Sequence, residues 1–332
     1  MRRVLILGGT GWLGREIARA ALREGAEVTC LARGESGEVA EGARLVRADR
    51  LLPGAHDDVG GPWDDVVELA HDPALVGASL DALADHAAHW TLVSSVSVYA
   101  DAATPLADES AELVEPVEPV DASRYAEAKV AAERATMARL GDRLLVVRPG
   151  LIAGPGDPSD RLGWWPARMH RGGRVVVPTT ERRWVQAIDV ADLADVVEEA
   201  GRTHRVGIVD AVGEALPLAA ALAEVDAAAG SRSELVTVDD ETLRAAGVSW
   251  WAGPRSLPLW LPTDAEGFAR RSGAAWREAG GRRRPFRETI ERVLADELAR
   301  GRDRPRRAGL DAEAEAAVLA LVDARPAPER RP

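Results

Sequence analysis

Val4-Leu5-Ile6-Leu7-Gly8-Gly9-Thr10-Gly11-Trp12-Leu13-Gly14 stands near the start of the chain and decides its fold. Val4 to Leu7 is a continuous aliphatic run, the pattern of a strand buried on both faces. Arg15 to Glu24 reads as a helix with Ile17, Ala18, Ala21 and Leu22 on one side, closed by Gly25. Glu27 to Leu31 resumes as a strand. Strand, glycine turn, helix and strand follow within about 30 residues, the context that a dinucleotide-binding turn requires. The spacing Gly8-x-x-Gly11-x-x-Gly14 departs from the commoner G-x-G-x-x-G, yet the physics is shared. Glycines let the backbone approach a pyrophosphate, and a helix N-terminus offers N–H donors and a positive dipole. The plain alternative is a structural turn.

Outward from this unit the alternation continues. The second strand ends Leu31-Ala32-Arg33-Gly34, with no acid before Glu35. A carboxylate there would hold the ribose hydroxyls of NAD, whereas an arginine accommodates the 2′-phosphate of NADP. Arg33 therefore favours NADP, with NAD possible if the guanidinium only stacks on adenine. Arg44 to Arg50 predicts a short third strand ending in Asp49-Arg50. Both are assigned to the cofactor, Asp49 to the adenine amino group, unless Asp49 is a helix cap. Asp64 to Ala70 reads as the fourth strand, with Ala70 passing beside the cofactor. Pro73 to Ala88 is predicted helical, and His86 and His89 are expected to face solvent; no further ligand accompanies them, so no metal site is expected. Trp90 to Val93 is the fifth strand and runs into Ser94-Ser95-Val96-Ser97-Val98-Tyr99, at the edge where open α/β sheets form their sites. Asp121 to Leu140 predicts a helix capped by Asp121 or Ser123, and Leu144 to Pro149 a sixth strand. The expected class is α/β, a doubly wound parallel Rossmann-type sheet with a smaller C-terminal substrate lobe.

The predicted boundaries are 1–150 for the dinucleotide-binding domain, with 175–212 returning to it. Residues 151–174 and 213–285 form the substrate lobe, and 286–332 a helical extension whose last Pro-, Glu- and Arg-rich residues are expected to fray. Trp164, Trp165, Trp250, Trp251 and Trp260 crowd the lobe, either as core or as the wall of an apolar pocket.

The 332 residues carry a net charge of −12, which disfavours nucleic acid as the main partner. Cys30 is the single cysteine, so no intrachain disulfide forms and a reducing, cytoplasmic setting is expected. No apolar stretch reaches membrane-spanning length.

Among 42 basic residues Lys129 is the single lysine, and Tyr125 is one of two tyrosines. In Arg124-Tyr125-Ala126-Glu127-Ala128-Lys129 the phenol and the ammonium lie four apart, on one helical face. A cation beside a phenol favours the phenolate and suits it to proton transfer near neutral pH. A surface pair without function is the alternative.

Gly8/Gly11/Gly14, Ser95 and Tyr125/Lys129 in this order resemble the extended short-chain dehydrogenase/reductases, and within them the NAD-dependent epimerase/dehydratase family, over roughly residues 1–212. Val147-Arg148-Pro149-Gly150 and Ile188-Asp189-Val190-Ala191-Asp192-Leu193-Ala194 share the family's style. Asp49-Arg50 and Arg33-Gly34 resemble an atypical, reductase-like branch. The resemblance implies that Ser95 orients a substrate oxygen and Tyr125 is the general acid/base. It implies that Lys129 binds nicotinamide ribose and tunes Tyr125. Gly8, Gly11, Trp12, Leu13 and Gly14 would surround the pyrophosphate, with Pro149, Gly150 and Leu151 beside the nicotinamide. Val96-Ser97 replaces the Asp-Glu pair of the family's dehydratases, which argues against dehydration. The expected function is an NAD(P)-dependent oxidoreductase acting on a small-molecule carbonyl or alcohol. A sugar-nucleotide epimerase, with Arg161, Arg168, Arg171 and Arg174 for a diphosphate, and a non-catalytic nucleotide-sensing or RNA-binding member are the alternatives. A homodimer is expected, built on the small residues Ala126, Ala128, Val130, Ala131 and Ala132 of the Tyr125 helix.

Overall fold

The structure is a computed structural model and describes residues 1–116, 119–301 and 303–324. The C-terminal residues expected to fray, 325–332, lie outside the described residues. In chain order the elements begin β1 (Arg3–Leu7), α1 (Trp12–Arg23), β2 (Glu27–Ala32), β3 (Arg44–Arg47), β4 (Trp63–Glu68), α2 (Pro73–Leu83) and β5 (Ala87–Val93). They continue with α3 (Tyr125–Leu140), β6 (Leu144–Pro149), β7 (Leu151–Ala153), α4 (Trp164–His170), β8 (Gly173–Pro178), β9 (Trp184–Asp189), α5 (Val190–Thr203) and β10 (Gly207–Ala211). Then follow β11 (Ala215–Pro217), α6 (Leu218–Ala229), β12 (Ser233–Val238), α7 (Asp240–Ala245), β13 (Ser249–Trp250), β14 (Ser256–Leu257), α8 (Ala274–Glu278), α9 (Phe286–Arg300) and α10 (Ala312–Asp323).

The chain folds as two units. The first comprises Met1–Ile152, Gln186–Glu214 and Gly267–Arg284. Its seven strands lie in the order β10-β6-β5-β4-β1-β2-β3. Every pair is parallel. The doubly wound sheet expected from the sequence is therefore present. Its order reverses between β1 and β4, the switch point outside which open α/β sheets bind ligands.

Period-two alternation along β1 builds both faces. Val4 and Ile6 join Ile17, Ala18, Leu193, Val197 and Trp276 on one side. Leu5 and Leu7 join Val76, Leu80, Trp90, Ala132 and Leu140 on the other. These four β1 residues are each at most 2% exposed, and each such burial contributes about 1.5–3 kcal/mol.

The second unit takes Ala153–Val185, Ala215–Glu266 and the described residues from Pro285 on. Its boundaries differ from those expected, for identifiable reasons. The Val175-Val176-Val177 run does not return to the main sheet, because β8 pairs in parallel with β12, Val176 opposite Val236. Residues 267–284 belong to the first unit. Arg271 Nε donates to Asp210 Oδ2 at 2.9 Å, and Gln186 Nε2 donates to the Arg271 carbonyl at 2.9 Å. The residues after Pro285 are part of the second unit rather than a separate extension: Trp164 Nε1 donates to the Leu310 carbonyl at 3.0 Å, and Arg168 Nε to Glu315 at 2.5 Å.

Tryptophan here is mainly core. Trp165 and Trp260 are fully buried and Trp164 nearly so. Trp164 and Trp165 meet edge to face at 4.8 Å, and Trp165 Nε1 donates to the Pro258 carbonyl at 2.9 Å. Each indole thereby buries its ring while its N–H finds an acceptor.

Candidate active site

The site-forming edge is shaped first by the glycine turn. Gly8 has φ +103°, a conformation that glycine adopts without a Cβ clash. A Cβ on Gly14 would lie 2.6 Å from the Gly8 carbonyl oxygen and 2.8 Å from Gly9 Cα. Only glycine lets α1 pack this closely on the turn. Gly11 precedes α1 and no side chain caps the helix. As at any helix start, the N–H groups of the first turn, those of Trp12, Leu13 and Gly14 among them, point out of the helix rather than to a carbonyl within it. Cys30 lies beneath Gly9, and burial pushes its thiol up to about 12, so it is an inert core residue.

α3 carries Tyr125 and Lys129. It begins at Tyr125 rather than at Asp121. Asp121 instead closes the preceding turn, accepting from Ser123 N at 2.8 Å. Tyr125, Lys129 and Glu133 recur every fourth residue and so share one face. Tyr125 is 44% exposed, while Lys129 is 3% exposed. Lys129 Nζ donates to the carbonyls of Ala70 at 2.9 Å and Val93 at 2.6 Å. The ammonium thus ties α3 to the exits of β4 and β5. Burial lowers its pKa to about 8, against the opposing pull of Glu68 and Glu133. Lys129 is accordingly no surface cation. Its third proton is not taken by the two carbonyls.

Ser95 stands at the exit of β5, and its Oγ accepts from Ser97 N at 3.1 Å in a single tight turn. The Oγ of neighbouring Ser94 is buried without a partner among the described residues. His71, just past Ala70, sets its ring 5.5 Å from that of Tyr125, tilted by 50°.

The remaining assigned residues divide. Arg33 is exposed and pairs with Glu35 at 3.0 Å. Arg47, at the end of β3, brings its guanidinium beside Gly34. Asp49 accepts from Leu51 N at 3.1 Å and so shapes a turn. Arg50 is buried, donating to Glu68 at 2.5 Å and Ser79 Oγ at 3.0 Å. It braces the exit of β4 from behind. Pro149 is buried, Gly150 N donates to the Ala211 carbonyl at 3.1 Å, and Leu151 is 5% exposed.

Sequence reasoning passed over a buried polar network behind α3. Glu133 accepts from Arg148 Nε at 3.0 Å and Nη2 at 2.6 Å. Arg148 Nη1 donates to Tyr99 Oη at 2.9 Å, and Tyr99 donates to Asp210 at 2.7 Å. Burial, then Asp210, drives the Tyr99 phenol well above its ordinary range. Tyr99 is therefore structural. Glu133 was findable as the third member of the Tyr125/Lys129 spacing. The links from Arg148 to Tyr99 and from Tyr99 to Asp210 were not, because they span 49 and 111 residues of sequence.

The expectation for His89 is corrected. β5 starts at Ala87, so His89 lies on a strand and is 1% exposed. Its Nδ1 pairs with Asp65 at 2.8 Å and its Nε2 with the Arg205 carbonyl at 2.6 Å. Both partners are acceptors, so both nitrogens donate and the ring is an imidazolium. Burial opposes that charge, but the hydrogen bond and charge of Asp65 prevail and raise the pKa. The small-residue surface expected for a dimer also narrows. Ala128, Val130 and Ala132 are fully buried within the first unit, while Ala135 and Ala138 of α3 are exposed.

In the second unit, Trp164, Arg168, Arg171, Arg255, Arg304 and Arg306 wall a cleft of about 410 Å³. The arginines considered for a diphosphate are engaged elsewhere. Arg168 pairs with Glu315, Arg171 with Asp303 and Arg174 with Asp323. Arg161 lies over Trp251, 5.2 Å from the ring centre.

A pyrophosphate fits the glycine cradle. The Ser94 hydroxyl and the third Lys129 proton are consistent with a polar ligand at the same edge. No helix among the described residues is long and apolar enough to cross a membrane.

No curated protein matches the chain. Among solved structures, a candidate epimerase from Burkholderia cenocepacia J2315 superposes with a TM-score of 0.71 at 21% identity, covering 90% of this chain and 98% of that one. The UDP-glucose 4-epimerase of Thermus thermophilus, in complex with NAD, gives 0.65 at 20% identity, covering 90% and 99%. dTDP-glucose 4,6-dehydratase of Bacillus anthracis str. Ames, in complex with NAD, gives 0.65 at 13% identity, covering 91% and 98%. At these identities the likeness is one of fold. Family is decided by a match to residues 4–209, the span that holds the glycine turn, Ser95, Tyr125 and Lys129: the chain belongs to the NAD dependent epimerase/dehydratase family.

Proposed function

We propose that the protein is an NAD(P)-dependent oxidoreductase that interconverts a carbonyl and an alcohol on a small molecule. One observation carries this reading: a solvent-reaching phenol, Tyr125, stands one helical turn from a buried ammonium fixed at the sheet's C-terminal edge. Bound NAD(P) would supply or accept the hydride. The protein's part is alignment and one proton. The turn from Gly8 to Gly14 and the start of α1 would hold the pyrophosphate. Lys129 would give its third proton to a ribose hydroxyl. Pro149, Gly150 and Leu151 would line the nicotinamide side, and Ser95 Oγ would orient the substrate oxygen. Tyr125 protonates that oxygen as the carbonyl is reduced and takes the proton back in the reverse direction.

Dehydration lacks support, since Val96 and Ser97 follow Ser95 where that chemistry needs an acid and a base. An epimerase reading draws on the family and on the named relatives. Against it stands the engagement of Arg168, Arg171 and Arg174 with carboxylates. Titration with NADPH and NADH, followed by a carbonyl screen that reads loss of reduced-nicotinamide absorbance, tests the proposal. Binding of neither cofactor would end it.

Within this reading the cofactor is NADP in preference to NAD. Arg33 is exposed at the β2 exit, Arg47 lies beside Gly34, and no carboxylate stands between the end of β2 and Glu35. Arg33→Ala should weaken NADPH by about 1.5–3 kcal/mol, the range of a charge-assisted hydrogen bond, and leave NADH nearly unchanged. Equal wild-type dissociation constants for the two cofactors would refute the preference. A homodimer through the exposed side of α3 is also proposed, and a monomeric mass by light scattering at micromolar concentration would exclude it.

A further inference from the structure

We propose that His71 is a positioning residue for Tyr125, the group through which the phenol exchanges its proton with solvent. The inference rests on the reading of Tyr125 as the acid/base and adds to it a second proton-handling residue.

The placement follows from the backbone. Lys129 grips the carbonyl of Ala70, the residue immediately before His71. The same lysine lies one turn after Tyr125 on α3. The β4 exit and the start of α3 are thereby pinned to one ammonium, and the two rings are brought within 5.5 Å of one another. Both side chains reach solvent. An apolar stack would gain little there, and the 50° tilt is not that of two rings lying flat on each other. The charged and titratable groups acting on His71 are Lys129 and Tyr125 on α3 and Asp72 beside it in sequence. Partial burial of the ring and then the Lys129 charge disfavour the imidazolium, with Asp72 opposing them. The ring is therefore neutral at pH 7, with one nitrogen donating and the other accepting.

A neutral imidazole can relay a proton without holding net charge. When Tyr125 has given its proton to a substrate oxygen, a phenolate remains. His71 passes its N–H proton to the phenolate oxygen while its other nitrogen takes a proton from water. The phenol is restored, the imidazole is neutral again in its second tautomer, and hydroxide is left in solvent. Oxidation of an alcohol runs the same path backwards.

The test needs no substrate. Tyrosinate absorbance is followed against pH in the full chain. Tyr99 ionises far above its ordinary range, and the step that disappears in Tyr125→Phe is assigned to Tyr125. On this proposal the imidazole N–H serves the phenolate as donor, and a phenolate without a donor is destabilised, so His71→Ala should raise that midpoint by about half a pH unit or more, and His71→Gln, which keeps an N–H donor, should recover most of the change. On any substrate the carbonyl screen supplies, His71→Ala should lower kcat on the order of tenfold with KM little altered. An unmoved tyrosinate midpoint in folded His71→Ala overturns the proposal. Slow Tyr125→Phe beside His71→Ala at the wild-type rate overturns it too, while leaving Tyr125 as the acid/base. Tyr125→Phe at the wild-type rate removes both.

Discussion

At the C-terminal end of the parallel sheet a buried ammonium is held by two neutral carbonyls. Toward its N-terminal end a buried imidazolium is held by a carboxylate. Lys129 has Ala70 O and Val93 O, and its pKa falls to about 8. His89 has Asp65 and Arg205 O, and its pKa rises. Each ring nitrogen of His89 is used, and Gly201 packs so tightly over Asp65 that a Cβ there would lie 2.2 Å from its carboxylate. Lys129 keeps a proton to give, beside a partly exposed phenol. The difference separates structure from chemistry better than burial does. A charge that is paired and closed in serves the fold, whereas one hydrogen-bonded to neutral carbonyls, with Glu68 and Glu133 acting on it only through space, remains poised to change its proton or its partner.

The largest effect is expected at the closed end. Asp65→Ala leaves a buried imidazole facing no counter-charge, and breaking such a pair costs about 3–5 kcal/mol. Denaturant unfolding should show that loss, while turnover per folded molecule stays unchanged. A stable Asp65→Ala protein would break the comparison, because the pair would then be dispensable.

The open end should behave in reverse. Tyr125→Phe should lose at least ~100-fold in turnover, the low end of what a positioned acid or base contributes. Its unfolding midpoint should hardly move. Lys129→Met should lose a comparable factor, and the double variant little more, since groups that act as a unit are not additive. Stability of Lys129→Met should be retained near pH 7. The two carbonyls lose donors at about 1 kcal/mol each, and relief from burying an ammonium offsets this. A Lys129→Met protein that unfolds while Asp65→Ala does not would invert the assignment of the two ends.

How much of this was legible in the sequence depends on the range of the interactions. The glycine turn, β1, β2 and the Tyr125/Lys129 face are encoded by local spacing, and the structure places them as the spacing requires. The role of Lys129 as a buried tie between β4 and β5 was hidden, because its acceptors are backbone carbonyls that any residue supplies. The local pattern places His89 in solvent because Pro73 to Ala88 resembles one helix that runs up to it, whereas β5 begins at Ala87. The Val175 to Val177 run announces a strand but not its partner, and β12 is encoded nearly 60 residues later. Residues 267–284 carry no periodic signal at all. They are placed by Arg271, whose partner Asp210 is 61 residues earlier.

The smallest effect discriminates most finely, because the two ends should tilt stability with pH in opposite directions. His89 has a folded pKa above its ordinary value of 6.5. As pH rises past 6.5 the unfolded chain loses this proton first, so the folded state holds more protons and stability falls until His89 itself deprotonates. Lys129 has a folded pKa of about 8, below its ordinary 10.5. Between those values the folded state has released a proton that the unfolded chain keeps, so stability rises with pH. One proton contributes a slope of at most about 1.4 kcal/mol per pH unit, and each slope is confined to its own window. Unfolding free energies measured from pH 6 to 9, below the ordinary thiol value of 9.0 above which Cys30 opposes the Lys129 rise, in wild type, His89→Gln and Lys129→Met would resolve them. His89→Gln should remove the fall above pH 6.5, and Lys129→Met should remove the rise above pH 8. A Lys129→Met profile that keeps its alkaline rise would mean that the ammonium is not the group released on folding, and the contrast between the two ends would then rest on His89 alone.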